Sequence, residues 1–291
     1  MHWVDPREHP DPPLRVSPRP PAPDVTELLD LLRLCREGRV YEVEAWIKTG
    51  RPLQAIDYRH GARSHRLASP LRVAIETGQF DLARLLLVNG FLPDLEQESI
   101  LEVILRTRAK GYLDLLISWG ADPKRVKPET VIDTYEVETM ERFWEAGVDL
   151  TKGHDLALTL ARVTGNKPAY GWAKRHRDDP RVSRELDMAL GLAVMEGAEK
   201  AVSLLLWAGA NPHRKAPMLQ YYNPEYDDEP GSGIPAVHWA VSGGKANLLR
   251  RLKPDPQLDD FESLWRSVCD PETLELLARM NDEPEDPKHS D

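Results

Sequence analysis

The chain has 291 residues, 48 of them acidic and 38 basic, so its formal charge of −10 argues against a protein that coats DNA or RNA by neutralising phosphates. Hydrophobic residues make up 41%, enough for a sizeable core, while two cysteines as far apart as Cys35 and Cys269 form neither a disulfide framework nor a metal knuckle. The opening MHWVDPREHP lacks the apolar stretch of a signal peptide, and no apolar run reaches the roughly 18 residues of a membrane span, so a cytoplasmic protein is expected.

Residues 1–23 carry eight prolines, from Pro6 to Pro23. Such a stretch cannot donate the backbone bonds of a helix or central strand, so residues 1–25 are expected to form an extended arm. Asp24-Val25-Thr26-Glu27 has the pattern of a capped helix start. Two short helical patterns then meet at Gly38, and the second ends at Gly50. The same twelve-residue step separates Gly78 from Gly90 and Gly197 from Gly209, with matching apolar positions between them. A fixed step with matched apolar positions is the signature of stacked helix pairs, none of which can bury its apolar face alone. The tail from Asn281 to Asp291 is acidic and proline-containing and is expected to be disordered.

The motifs around these glycines resemble the ankyrin repeat. Ser69-Pro70-Leu71 with Ala74 matches the family's T-P-L-H-x-A opening, and Pro235-Ala-Val-His-Trp-Ala240 keeps its histidine and alanine. Gly120-Ala-Asp-Pro123 and Gly209-Ala-Asn-Pro212 match its closing turn. On this register the first helix of each pair ends at Gly38, Gly78, Arg108, Tyr135, Gly165, Gly197 and Gly244. The resemblance implies an all-α, ankyrin-like helix-pair solenoid of about seven repeats over residues 26–280, with a short C-terminal cap after Phe261. It is weakest at the fourth repeat, where residues 128–135 leave little room for a first helix, and at the fifth, whose second helix holds Pro168 and Gly171. Leu71, Ala74, Leu85, Leu86, Leu190, Ala193, Leu204 and Ala240 are expected in the core, the alanines where first helices nearly touch. Both cysteines are expected on first helices as inert core thiols.

No catalytic pattern is present: the chain has no phosphate loop, no H-E-x-x-H and no G-x-S-x-G. His154-Asp155 reads as a helix cap, and His60 with His65 as a solvated loop. No catalytic residue, metal site or cofactor is expected, and the chain is read as not an enzyme. Two insertions stand out instead. In residues 51–72, Arg51, Arg59, Arg63, Arg66 and Arg72 surround His60 and one acid, Asp57. This segment is either a solvated loop or a basic finger for an acidic partner. In residues 213–231, Tyr221, Tyr222 and Tyr226 precede an acidic run that includes Asp227 and Asp228. Tyrosines give contact area at low entropy cost and acids speed encounter with a basic partner; the plain alternative is a passive loop. Trp239 follows His238 at a position that, in this family, often faces the concave groove. The other tryptophans, Trp46, Trp119, Trp144 and Trp207, are expected to be packing rather than a stacking ladder.

The resemblance therefore implies a protein partner, bound by a monomer through the concave face and the inter-repeat fingers, with neither nucleic acid nor membrane involved. The acidic charge suits a basic partner such as a toxin or nuclease. An immunity-type inhibitor or a host-directed effector are the alternative readings.

Overall fold

The computed structural model describes residues 19–60, 65–95, 99–217 and 233–282. The proline-rich residues 1–18 and the tail from residue 283 lie outside these. Two compact units divide the described chain: residues up to Thr134 together with Ala146–Val148, and Tyr135–Glu145 together with the residues from Asp149 on.

The first unit is built of short helices taken in pairs: α1 (Leu29–Arg36) and α2 (Val40–Lys48), α3 (Pro70–Glu76) and α4 (Phe80–Val88), α5 (Ile100–Thr107) and α6 (Gly111–Ser118), then the five-residue α7 (Pro128–Ile132). The first members of the pairs stack, α1 on α3, α3 on α5 and α5 on α7. Local chemistry fixes the ends. Asp24 accepts the Thr26 N–H at 2.7 Å at the first helical turn, and Ser69 Oγ accepts the Arg72 N–H at 3.1 Å ahead of Pro70. Two small strand pairs complete the unit. β1 (Ala22–Asp24) runs parallel to β2 (Ala55–Asp57), and β3 (Arg59–His60) runs antiparallel to β4 (His65–Arg66).

The second unit continues the same pattern with α8 (Val137–Glu145), α9 (Asp155–Arg162), α10 (Lys167–Arg175), α11 (Pro180–Glu196), α12 (Glu199–Ala208), α13 (Ala236–Ser242), α14 (Ala246–Leu252), α15 (Phe261–Ser267) and α16 (Pro271–Asp282). Here too first helices stack on first helices, α9 on α11, α11 on α13 and α13 on α15, while α8, α10 and α12 form the second row. α11 is the exception in length, 17 residues against seven or eight for its counterparts α9, α13 and α15. It contacts α9, α10, α12 and α13. Among the described residues no helix is long and apolar enough to cross a membrane.

The turn register expected from the sequence holds in the backbone. Gly38, Gly78, Gly197 and Gly244 have positive φ, and so do the non-glycine turn residues Arg108 (56°) and Tyr135 (59°). Gly165 lies outside the left-handed region. The result is an all-α fold of paired helices. α15 and α16 follow as a closing pair.

The core is as expected at seven of the eight named positions: Leu71, Ala74, Leu85, Leu86, Leu190, Ala193 and Ala240 are no more than 1% exposed. Leu204 is only half-buried. The buried stripe of α12 runs through Ala201, Val202, Leu205 and Ala208, and Leu204 falls beside it. The expectation for the cysteines holds at one of two. Cys35 is buried in α1 and its thiol is pushed up to about 12 by burial. Cys269 is exposed, because α15 stops at Ser267 and leaves it in the link to α16, where Sγ lies 3.1 Å from the Ser242 carbonyl.

Candidate interaction surface

The two segments singled out from the sequence fall one in each unit. In the first, Arg59 and His60 form β3, and Arg66 pairs in register with Arg59 across a two-stranded hairpin. The Arg59 guanidinium is exposed but held by Asp57, with Nε 2.9 and 3.0 Å from its carboxylate oxygens and Nη2 at 2.7 Å. Asp57 also accepts the Arg59 N–H at 2.9 Å, which turns the chain into the hairpin. Arg72 pairs with Glu76 at 2.8 Å, and the Arg51 guanidinium lies over the Trp46 ring at 3.4 Å. The positive charge of this segment is thus partly spent on internal partners, Glu76 being an acid that the sequence reading did not count. Arg63 lies outside the described residues.

In the second unit the tyrosine-rich insertion leaves and rejoins the helices through a built neck. Tyr221, Tyr222, Tyr226, Asp227 and Asp228 lie outside the described residues; the neck does not. Ala216 and Ile234 form an antiparallel bridge, with the Ile234 N–H 3.1 Å from the Ala216 carbonyl. Gly233 has φ 99°, and a Cβ there would stand 2.1 Å from that same carbonyl oxygen, so only glycine fits. One strand of the neck is tied to α11: Asp187 Oδ1 accepts the Asn211 N–H at 2.7 Å and Oδ2 pairs with Arg214 at 3.0 Å, while Arg214 also reaches Ser183. His213 Nδ1 lies 2.8 Å from Asp259, whose same oxygen accepts the Asp255 N–H. Asp187 is 3% exposed, and burial pushes its carboxyl up to about 6 against the opposing pull of Asn211 and Arg214.

Trp239 sits on α13, half-buried, with an edge 3.9 Å from where a Cβ on Gly191 of α11 would stand. The missing side chain at Gly191 makes room for the indole, so part of the ring is spent on packing. His154 does not cap α9 with its side chain. It sits at the helix start in the left-handed conformation, and Glu185 from α11 does the capping: one carboxylate oxygen accepts the Ala157 N–H at 3.1 Å and the other meets His154 Nδ1. A carboxylate on a long neighbouring helix leaves no local sequence signal.

Of the tryptophans expected to be packing, Trp46 is buried and Trp119 and Trp144 are half-buried, whereas Trp207 is not. Trp144 and the fully buried Trp172 are edge to face at 5.3 Å, and His176 lies 4.7 Å from Trp172. Trp207 stays 54% exposed beneath the Lys174 ammonium, 4.1 Å from its ring centre. Among the described residues no group of three or more His, Cys, Asp or Glu is placed to hold a metal ion.

No family model and no curated protein matches the chain. Among solved structures, the chain is similar to the ankyrin repeat domain of Bcl-3, described as a unique member of the IkappaB protein family. The identity is 19% and the TM-score 0.37, with 85% of this chain and 97% of that chain covered. The helix-pair fold of this chain stands on its own elements: the stacked first helices, the left-handed turns and the hairpin between successive pairs.

Proposed function

We propose that this protein is a non-catalytic interaction module that binds a partner protein through its first-helix face and the loops between repeats. The observation that carries this reading is the neck of the second insertion. Buried Asp187, the His213–Asp259 pair and an obligate Gly233 fix both ends of a long polar loop. Each repeat in a stack touches only its neighbours, so the stack gains nothing from such a loop, whose ordering costs entropy. A firm base under it is what presentation of a binding loop requires. The hairpin of Arg59 and Arg66 is the corresponding element of the first unit, with His60 on its first strand, and Arg63 is assigned to the same surface from the sequence. Tyr221, Tyr222 and Tyr226 supply the contact area, Asp227 and Asp228 an acidic rim, and the half-buried Trp239 an anchor beside the neck. The net charge of −10 favours a basic partner, which an inhibitor of a toxin or nuclease would have.

The test is affinity capture from native cells with the full chain and with two variants, one lacking residues 218–230 and one carrying Arg59→Glu, Arg63→Glu and Arg66→Glu. A protein retained by the parent chain and lost by a variant, then shown with purified components to bind in a salt-dependent way, supports the proposal. A partner held equally by all three chains refutes the assignment of these loops.

A further inference from the structure

We infer that the first unit carries a separate site on its second helices: a groove between α2 and α4 that takes an organic ammonium cation with an apolar body. The groove has a volume of about 450 Å³ and is lined by Gly38, Val40, Tyr41, Glu44, Asp81 and Leu85, with Arg39 and Arg84 beside them. That volume is in the range of sites that hold small ligands.

Its origin lies in the repeat itself. The turn-to-turn step is the same in the first three pairs, Gly38 to Gly50, Gly78 to Gly90 and Arg108 to Gly120, so positions in their second helices correspond one to one. Between α4 and α6 the Phe80 ring meets the Tyr112 ring at 5.2 Å. One step earlier the same two positions hold Val40 and Leu82, which are too short to bridge the gap in that way. The buried Leu85 forms an apolar floor, and Tyr41, 79% exposed, stands on the rim.

The charges on the rim decide what the groove takes. Arg39 is already engaged, by Glu42 at 2.7 Å and by Glu37 at 3.5 Å. Arg84 has an interaction of its own. Glu44 and Asp81 have no hydrogen bond or ion pair with any described residue. Tyr41 and Glu44 are three residues apart on α2, and Asp81 and Leu85 four apart on α4, so each pair shares one helix face. The uncompensated charge is therefore negative, beside an apolar floor and an exposed phenol ring. A cation gains from both carboxylates and from the ring quadrupole, while its apolar body covers Leu85 and Val40.

Tyramine, a phenol ring joined to an ammonium group, is the probe, and saturation-transfer NMR on the full chain at low salt is the measurement. Saturable binding of tyramine, with p-cresol (the ring without the cation) at least about fivefold weaker, supports the site. Glu44→Gln with Asp81→Asn is expected to weaken tyramine about fivefold to tenfold. Val40→Phe supplies the ring found one repeat later and is expected to abolish binding without lowering Tm. A blocked tyrosyl-lysine amide that binds more tightly than tyramine assigns the cation to a lysine of a protein; the reverse order assigns it to a free amine. Absence of transfer to tyramine, equal binding of p-cresol, or unchanged binding in a folded Val40→Phe variant overturns the inference.

Discussion

The carboxyl of Asp187 should make the stability of this protein fall as pH rises through the mildly acidic range. Asp187 is buried on α11 and its pairing with the half-exposed Arg214 does not offset the loss of water, so the carboxyl is raised from its ordinary 3.8 to about 6. Between these two values the folded chain keeps a proton that the unfolded chain has released. Stability therefore decreases with pH across that window and levels off above it. A rise of about two units corresponds to about 3 kcal/mol at ~1.4 kcal/mol per unit. Asp187→Asn keeps an oxygen for the Asn211 N–H and has nothing to titrate, so the parent-minus-variant difference isolates this one group. Urea unfolding of both chains in steps from pH 4 to 7.5 should show that difference shifting by about 2 kcal/mol against the parent between pH 4 and 6.5, the rest of the change lying below pH 4. A difference that stays flat, or moves in the parent's favour as pH rises, would mean that Arg214 and Asn211 outweigh burial, and the argument from desolvation would fail.

Ala193 has no exposed surface and lies on α11 where first helices stack. Ala193→Trp should overpack this contact and cost ~1–3 kcal/mol or more, read as a lowered melting temperature, and an unchanged melt would show that the register is wrong. Arg108 is exposed and left-handed at the end of α5, so Arg108→Gly should stabilise by about 1 kcal/mol, checked as a raised urea midpoint; a lowered midpoint would mean that the arginine side chain earns its place. Gly233→Ala should push the neck strands apart and speed amide exchange at Ile234, whose N–H is held by Ala216; unchanged exchange there would count against the tight closure.

The repeat was legible because its punctuation is written in residue types. Glycine recurring at a fixed step marks left-handed turns, and that step could be carried onto Arg108 and Tyr135, where the chain adopts the same conformation without glycine. Small alanines between leucines marked the contact of first helices for the same reason. What the sequence concealed depends on groups brought together from different pairs. Glu185 caps a helix that begins 30 residues before it, Asp187 ties down Asn211 and Arg214, and the pairing of β1 with β2 joins segments on either side of the first helix pair. None of these leaves a periodic trace. The candidate loops were found by their excess length and composition, which say where a loop departs but not which of its charges are already paired, as Arg59 is by Asp57.

The length of α11 bears on how the second unit comes together. One continuous helix reaches four others, and its long-range polar ties span 24 to 50 residues of chain, most of them 24 to 34. Closing the shorter of these loops costs little entropy, so a nucleus centred on α11 is expected to form early and recruit its neighbours outward in both directions. Mutations along its buried face then slow folding more than they speed unfolding, whereas changes in α15 or α16 act mainly on the unfolding rate.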